Sequence, residues 1–345
     1  MNFQISTRYI GPDHPPVVVV EIGINHNGSL LEALKLVDAA AKSGAEIIKH
    51  QTHILDAEMS VEAKKTIPGN STKSIYEIIK ETALTLDDEI KLANYVRSKK
   101  MIYMSTPFSF EAVDFLESIN VPAFKIGSGE CNNYPLVKEI ASKGKPVIMS
   151  TGMNSIETIR PSVDIFRKRN IPFALLHCTN LYPTPEKLIR LNALKELSAA
   201  FPDAVVGLSD HSLTNYPCLG SVALGASILE RHFTDTKHRS GPDISCSMDS
   251  EDLRELILGS KIIYDALKGR KLPVYQEEVT SAFAFASVVA TKKIEKGVLI
   301  SRDDITLKRP SGGDFGPKDF EALIGKRTTG IILPNIQINK SQIEV

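Results

Sequence analysis

Eight short apolar or β-branched runs recur along the first two-thirds of the chain, and longer segments with the i, i+3, i+4 spacing of amphipathic helices lie between most of them. The runs cover 17–21, 46–51, 101–106, 123–128, 146–151, 173–180, 204–210 and 227–233. Helical patterns span Leu30 to Ala41, Asp87 to Lys99, Ser155 to Arg169, Leu191 to Phe201 and, after the last run, Glu251 to Leu267. Strands that alternate with helices in this way pair in parallel through right-handed crossovers, and the sheet either stays open or closes. No GxGxxG opens the first strand–helix turn, and the near-regular count of eight favours closure. The expected class is α/β, a (β/α)8 TIM barrel.

A barrel of this kind needs roughly 250 residues, and the chain has 345. The alternation stops after Leu267, where Gly269-Arg270-Lys271-Leu272-Pro273 begins a polar stretch. The expected division is a barrel over 1–268, a linker over 269–283 and a compact module of short strands over 284–345. Cys131, Cys178, Cys218 and Cys246 show no CxxC spacing and read as reduced, buried thiols. Lys plus Arg and Asp plus Glu both total 41, so nothing global points to nucleic acid or to a membrane surface. With no basic start followed by an apolar run, and no stretch of about 18 apolar residues, the expected location is cytoplasmic.

Strand C-termini share one face of a barrel, so polar residues there carry the chemistry. The runs deliver Glu21, Lys49, Gln51, Thr106, Lys125, Ser128, Ser150, Asn180, His211 and His232 to that face. A single Ser or Thr at such a place is as well explained by capping. Two lysines inside apolar strands are not, because an unpaired buried ammonium costs several kcal/mol. Together with the hydroxyl and amide donors they make an anion site, with phosphate as the natural guest. Lys125 could instead form a Schiff base, as aldolases of this fold do. His211 and His232 end adjacent strands, and two imidazoles completed by water suit a divalent transition metal. His26, His50, His53 and His177 are weaker candidates, and His14 and His238 read as surface or loop residues.

The motifs Glu21-Ile-Gly-Ile-Asn-His-Asn-Gly28, Lys49-His-Gln-Thr-His53, Ser105-Thr-Pro-Phe108, Lys125-Ile-Gly-Ser-Gly-Glu130, Gly207-Leu-Ser-Asp-His211 and Glu230-Arg-His-Phe233 occur in this order. Together they closely resemble the bacterial N-acetylneuraminate (sialic acid) synthase family. Phe283-Ala-Phe-Ala-Ser287 and Lys308-Arg-Pro310 resemble the antifreeze-like (SAF, β-clip-like) domain that closes these enzymes. The resemblance implies condensation of phosphoenolpyruvate with N-acetylmannosamine and water to give N-acetylneuraminate and phosphate. It implies that Lys49, Thr106, Lys125, Ser128, Ser150 and Asn180 hold phosphoenolpyruvate, and that Gln51, Tyr182, Asp243 and Arg309 contact the sugar. His211 and His232 would bind Mn2+, with Mg2+ or Co2+ as other occupants. Glu21 would stabilise a cationic centre or steer water, Glu130 would transfer a proton, and Lys49 would count with them among the catalytic residues. It also implies a homodimer in which the C-terminal domain of one subunit covers the active site of the other. Related synthases use 2,4-diacetamido-2,4,6-trideoxy hexoses to make legionaminic or pseudaminic acid, and a Schiff-base sialic acid lyase remains a further alternative.

Overall fold

The computed structural model describes residues 2–69 and 71–344, so the expected domain ends at 1 and 345 lie outside the described residues. Strands β1 (Phe3–Ile5) and β2 (Arg8–Ile10) form an antiparallel hairpin, with Ser6 in the left-handed region at φ 52. Next come eight parallel strands: β3 (Val17–Glu21), β4 (Ile47–Thr52), β5 (Ile102–Pro107), β6 (Phe124–Ile126), β7 (Val147–Ser150), β8 (Phe173–Cys178), β9 (Val205–Asp210) and β10 (Ile228–His232). They pair in sequence order, and β10 returns to β3, which closes the barrel as expected.

All five residues of β3 are buried. Its valines face the barrel interior and the helix layer in turn, which is why the run is continuous rather than alternating. The interior is apolar toward the strand N-termini, where Val17, Val19, Ile47, Ala123, Ile148, Ala174, Val205 and Ile228 cluster with Phe3, Ile5 and Ile10 of the hairpin. The hairpin therefore plugs that end.

A second layer packs helices on the outer strand faces. Helix Leu30–Lys42 starts at Ser29, whose hydroxyl accepts from Glu32 N, and it buries Ala33, Leu36, Val37 and Ala40 against the barrel. That spacing is one face of a 3.6-residue repeat. Between β4 and β5 the chain inserts helices Leu55–Glu58 and Ile75–Thr82 ahead of helix Leu86–Ser98. Ile24, Ile78 and Ile79 form a small core under this insertion.

The chain divides into two compact units, 1–268 and 269–345. In the second, β11 (Ser287–Ala290) pairs antiparallel with β12 (Ile305–Lys308). Val288, Ala290, Ile294, Ile300, Ile305, Leu323, Ile332, Ile338 and Ile343 form its core. The stretch expected as linker, 269–283, is not unstructured throughout, because helix Glu278–Ala284 occupies its end.

Candidate active site

Strand register builds the centre of the barrel mouth. Glu21 is paired in register with Lys49 on one side and His232 on the other. On β4 the period of two turns Lys49 and Gln51 into the mouth. It turns Thr52 outward, where its hydroxyl donates to Glu89 of the helix layer at 2.5 Å. The Lys49 ammonium ion-pairs with Glu21, lies 3.7 Å from Glu230 Oε1 and donates to Thr106 Oγ1 at 3.3 Å. The Lys125 ammonium donates to Ser150 Oγ at 2.7 Å and to the Ile126 carbonyl at 3.0 Å, and it also lies 3.7 Å from Glu230 Oε1. Glu230 thus bridges two buried cations.

Four charges with almost no exposure are tolerable only as a compensated set. Burial pulls the Lys49 ammonium toward its neutral form, but the Glu21 and Glu230 carboxylates outweigh it and leave its pKa raised. Lys125 goes the other way, lowered by burial and by the neighbouring Lys49 charge. Burial alone would raise Glu230, yet the two lysines hold it below the usual carboxylate range. Its Oε2 has no hydrogen-bond partner among the described residues.

The β6 and β7 ends add neutral donors. Gly152 N donates to Ser128 Oγ at 3.0 Å, and Asn154 Nδ2 donates to the Ser128 carbonyl at 2.9 Å. A Cβ on Gly152 would overlap Asn180 Oδ1, so only glycine lets Ser128 and Asn180 approach each other here. Ser128 and Asn180 themselves sit just past the strand ends, as does His211.

His211 donates from Nδ1 to the Thr179 carbonyl at 3.1 Å, which leaves its Nε2 as a lone-pair donor. The His232 ring lies 5.4 Å from it, centroid to centroid, and the buried His232 Nδ1 has no hydrogen-bond partner among the described residues. Burial and the adjacent His232 push His211 down to about 4, and burial lowers His232 as well. Both imidazoles are therefore neutral, the form that binds metal. Asp243 Oδ2 lies 3.7 Å from His232 Nδ1, and burial raises the Asp243 carboxyl to about 6. No group of three or more His, Cys, Asp or Glu gathers in metal-binding fashion among the described residues. The pair could hold a divalent cation, whose remaining positions would have to be filled by water or substrate oxygen. Tyr182 packs on the His211 ring at 4.1 Å between centroids.

These groups line one cavity of about 480 Å³, together with Cys178, Ser209 and Glu130. That volume suits a pair of small metabolites. Burial pushes the Glu130 carboxyl up to about 7, opposed in part by its backbone hydrogen bond and by the Lys125 charge. Glu21 lies beneath the lining, where Oε1 accepts from Gln51 Nε2 at 3.1 Å.

Of the expected site residues, all but Arg309 meet at this mouth. Arg309 is exposed in the second unit. His53, a weaker candidate in sequence, lines the cavity. His26 and His50 do not, and instead pair with each other at 3.0 Å behind β4. His177 bonds the Ile189 carbonyl at 2.6 Å. Glu230 was legible only as part of a motif; its inward direction follows from that of His232 two residues on.

The NeuB family profile matches residues 36–271, and the SAF domain profile matches residues 285–344. An uncharacterized protein of Methanocaldococcus jannaschii is 37% identical, with 90% of each chain covered. The N,N'-diacetyllegionaminic acid synthase of Campylobacter jejuni is 35% identical over 91% of this chain and 96% of its own. Among solved structures, the N-acetylneuraminic acid (sialic acid) synthetase of Leptospira borgpetersenii superposes with a TM-score of 0.75 at 30% identity, covering 81% of this chain and 95% of that one. With a profile match over most of the chain and a relative above 30% identity along nearly all of it, the chain belongs to the NeuB family and carries a SAF domain at its C-terminal end.

Proposed function

We propose that this protein condenses phosphoenolpyruvate with N-acetylmannosamine and water to give N-acetylneuraminate and phosphate. The observation that carries this reading is the buried Glu21–Lys49–Glu230–Lys125 set opening onto the neutral donors Thr106, Ser128, Ser150 and Asn180. Two ammoniums and four donors match the carboxylate and phosphate of phosphoenolpyruvate. Held there, its C3 methylene attacks the aldehyde carbon of the open-chain sugar. One C–C bond forms, and the aldehyde oxygen takes a proton from Glu130, whose raised pKa keeps a protonated share near neutrality. C2 becomes cationic opposite the Glu21 carboxylate, which stabilises it and steers water onto it. Both protons of that water then leave, one restoring Glu130 and one going to the departing phosphate, as the bond from C2 to the bridging oxygen of the phosphate breaks and the C2 carbonyl forms.

A divalent cation held by His211 and His232, with Mn2+ favoured by family resemblance over Mg2+ or Co2+, would polarise the aldehyde oxygen as a Lewis acid. Gln51, Tyr182 and Asp243 would orient the sugar. A homodimer in which the second unit of one copy closes the mouth of the other, with Arg309 reaching the sugar's acyl group, completes the reading. A truncation at Gly269 then loses turnover. No helix is long and apolar enough to cross a membrane among the described residues.

A second reading keeps the reaction and changes the sugar to a 2,4-diacetamido-2,4,6-trideoxy hexose. It is favoured by the 35% identity to the Campylobacter jejuni N,N'-diacetyllegionaminic acid synthase. Phosphate release from phosphoenolpyruvate, measured with each sugar in turn, separates the two. Release with N-acetylmannosamine supports the first reading, and release only with the diacetamido sugar replaces it by the second. Borohydride trapping of pyruvate on Lys125, with no phosphate release from phosphoenolpyruvate in the presence of either sugar, would replace both by a Schiff-base lyase.

A further inference from the structure

Gln51 hands Glu21 to a second carboxylate through His53. Gln51 Nε2 donates to Glu21 Oε1 at 3.1 Å, and a carboxylate can only accept, so the amide oxygen must face the other way. There it meets His53 Nε2 at 3.1 Å, which must carry a proton to make that bond. The other ring nitrogen, Nδ1, lies 2.9 and 3.1 Å from the two oxygens of Glu58. A proton shared between Nδ1 and that carboxylate completes the contact. The ring plane is fixed by Phe108, stacked at 4.4 Å and 9°. Both side chains of the His53–Glu58 pair are only 5% exposed. Gly23, at φ +36, leaves the space beside the amide: a Cβ there would lie 2.5 Å from Glu21 Oε1 and 3.0 Å from Gln51 Nε2.

From this geometry we infer that His53, clamped by Glu58 and Phe108, is a positioning residue that sets the Gln51 amide with its NH2 toward Glu21 and its remaining N–H free for an oxygen of the sugar. The inference rests on the proposed reading of Gln51 and Glu21 as sugar-side and reaction-centre groups. Without the His53 donor the amide oxygen loses its partner, and the side chain, held at one end alone by Glu21, can swing out of the position that offers its second N–H to the sugar. Glu58 thereby acts on the reaction centre through His53 and Gln51.

Two measurements on the full chain test it. In 15N-histidine spectra, which need no turnover, His53 Nε2 is expected to be protonated at neutral pH and to shift in Gln51→Ala. An unprotonated Nε2, or one indifferent to Gln51→Ala, overturns the inference whatever the substrate. In steady state, His53→Leu should lower kcat/KM for the sugar about tenfold or more with the phosphoenolpyruvate KM unchanged, while His53→Gln, which keeps a donor amide, recovers most of it. In a Gln51→Ala background the same His53→Leu change should cost less than about twofold. Additive losses in the double variant overturn the positioning role. Absence of phosphate release by the unaltered chain with either sugar fails the functional reading alone, and the spectra still decide the inference.

Discussion

At the N-terminal end of the barrel, Phe3, Ile5 and Ile10 of the hairpin pack on Val17, Ile47, Ile148 and Ile228 with essentially no exposure. At the other end, the same strands carry Glu21, Lys49 and Glu230, equally buried. Each apolar side chain at the floor stabilises the fold by about 1.5–3 kcal/mol through burial. Each charge at the mouth is costly to bury and is held only by its neighbours. A sequence selected for folding alone has no use for the second arrangement. The floor is therefore where stability resides, and the mouth is where stability has been given up for chemistry.

That contrast is breakable by substitution. The largest effect is expected from EDTA or His232→Ala, which should lower phosphate release by on the order of 10³ or more while leaving the urea midpoint nearly unchanged. A variant that unfolds in parallel with its loss of turnover would put His232 among the structural residues. Glu21→Gln comes next, with a loss of about 10²–10³ in kcat per folded molecule and a lowered urea midpoint, since the buried Lys49 keeps only Glu230 at 3.7 Å as counter-charge. Ile10→Ala should do the reverse of His232→Ala. It lowers unfolding free energy by about 2–5 kcal/mol, read from urea melts, and leaves kcat per folded molecule unchanged.

The smallest effect sharpens the comparison through pH. Burial raises Glu130 from its ordinary 4.5 to about 7, so the folded chain holds that proton more tightly than the unfolded chain. Stability contributed by this group is present below about 4.5 and falls as pH rises toward about 7. Glu130→Gln should flatten that part of the stability profile. It should also remove a kcat inflection near neutrality, and a wild-type profile without one would contradict the proton-transfer role.

Legibility in the sequence divides along the same line. Strands buried on both faces leave continuous Val and Ile runs, as in Val17–Val20, and their polar ends announced nearly the whole mouth. The β1–β2 hairpin left no trace, because three-residue strands show too little periodicity to read. Helix Glu278–Ala284 buries none of its residues, so no apolar face marked it. His50 and His53 looked alike in sequence and part ways in space. One faces the helix layer and the other the cavity, because the period of two that turns Lys49 and Gln51 inward carries on to His53 just past the end of β4, while His50 and Thr52 fall on the outer face.

The central claim is that the mouth drives water onto C2 of phosphoenolpyruvate after the new C–C bond forms, and isotope tracing tests it most directly. Turnover in H2 18O, with the released phosphate analysed by mass spectrometry, should give phosphate free of 18O, since the bridging oxygen departs with phosphorus. Phosphate carrying one 18O per molecule would mean that water attacks phosphorus instead, and would contradict the role given to Glu21.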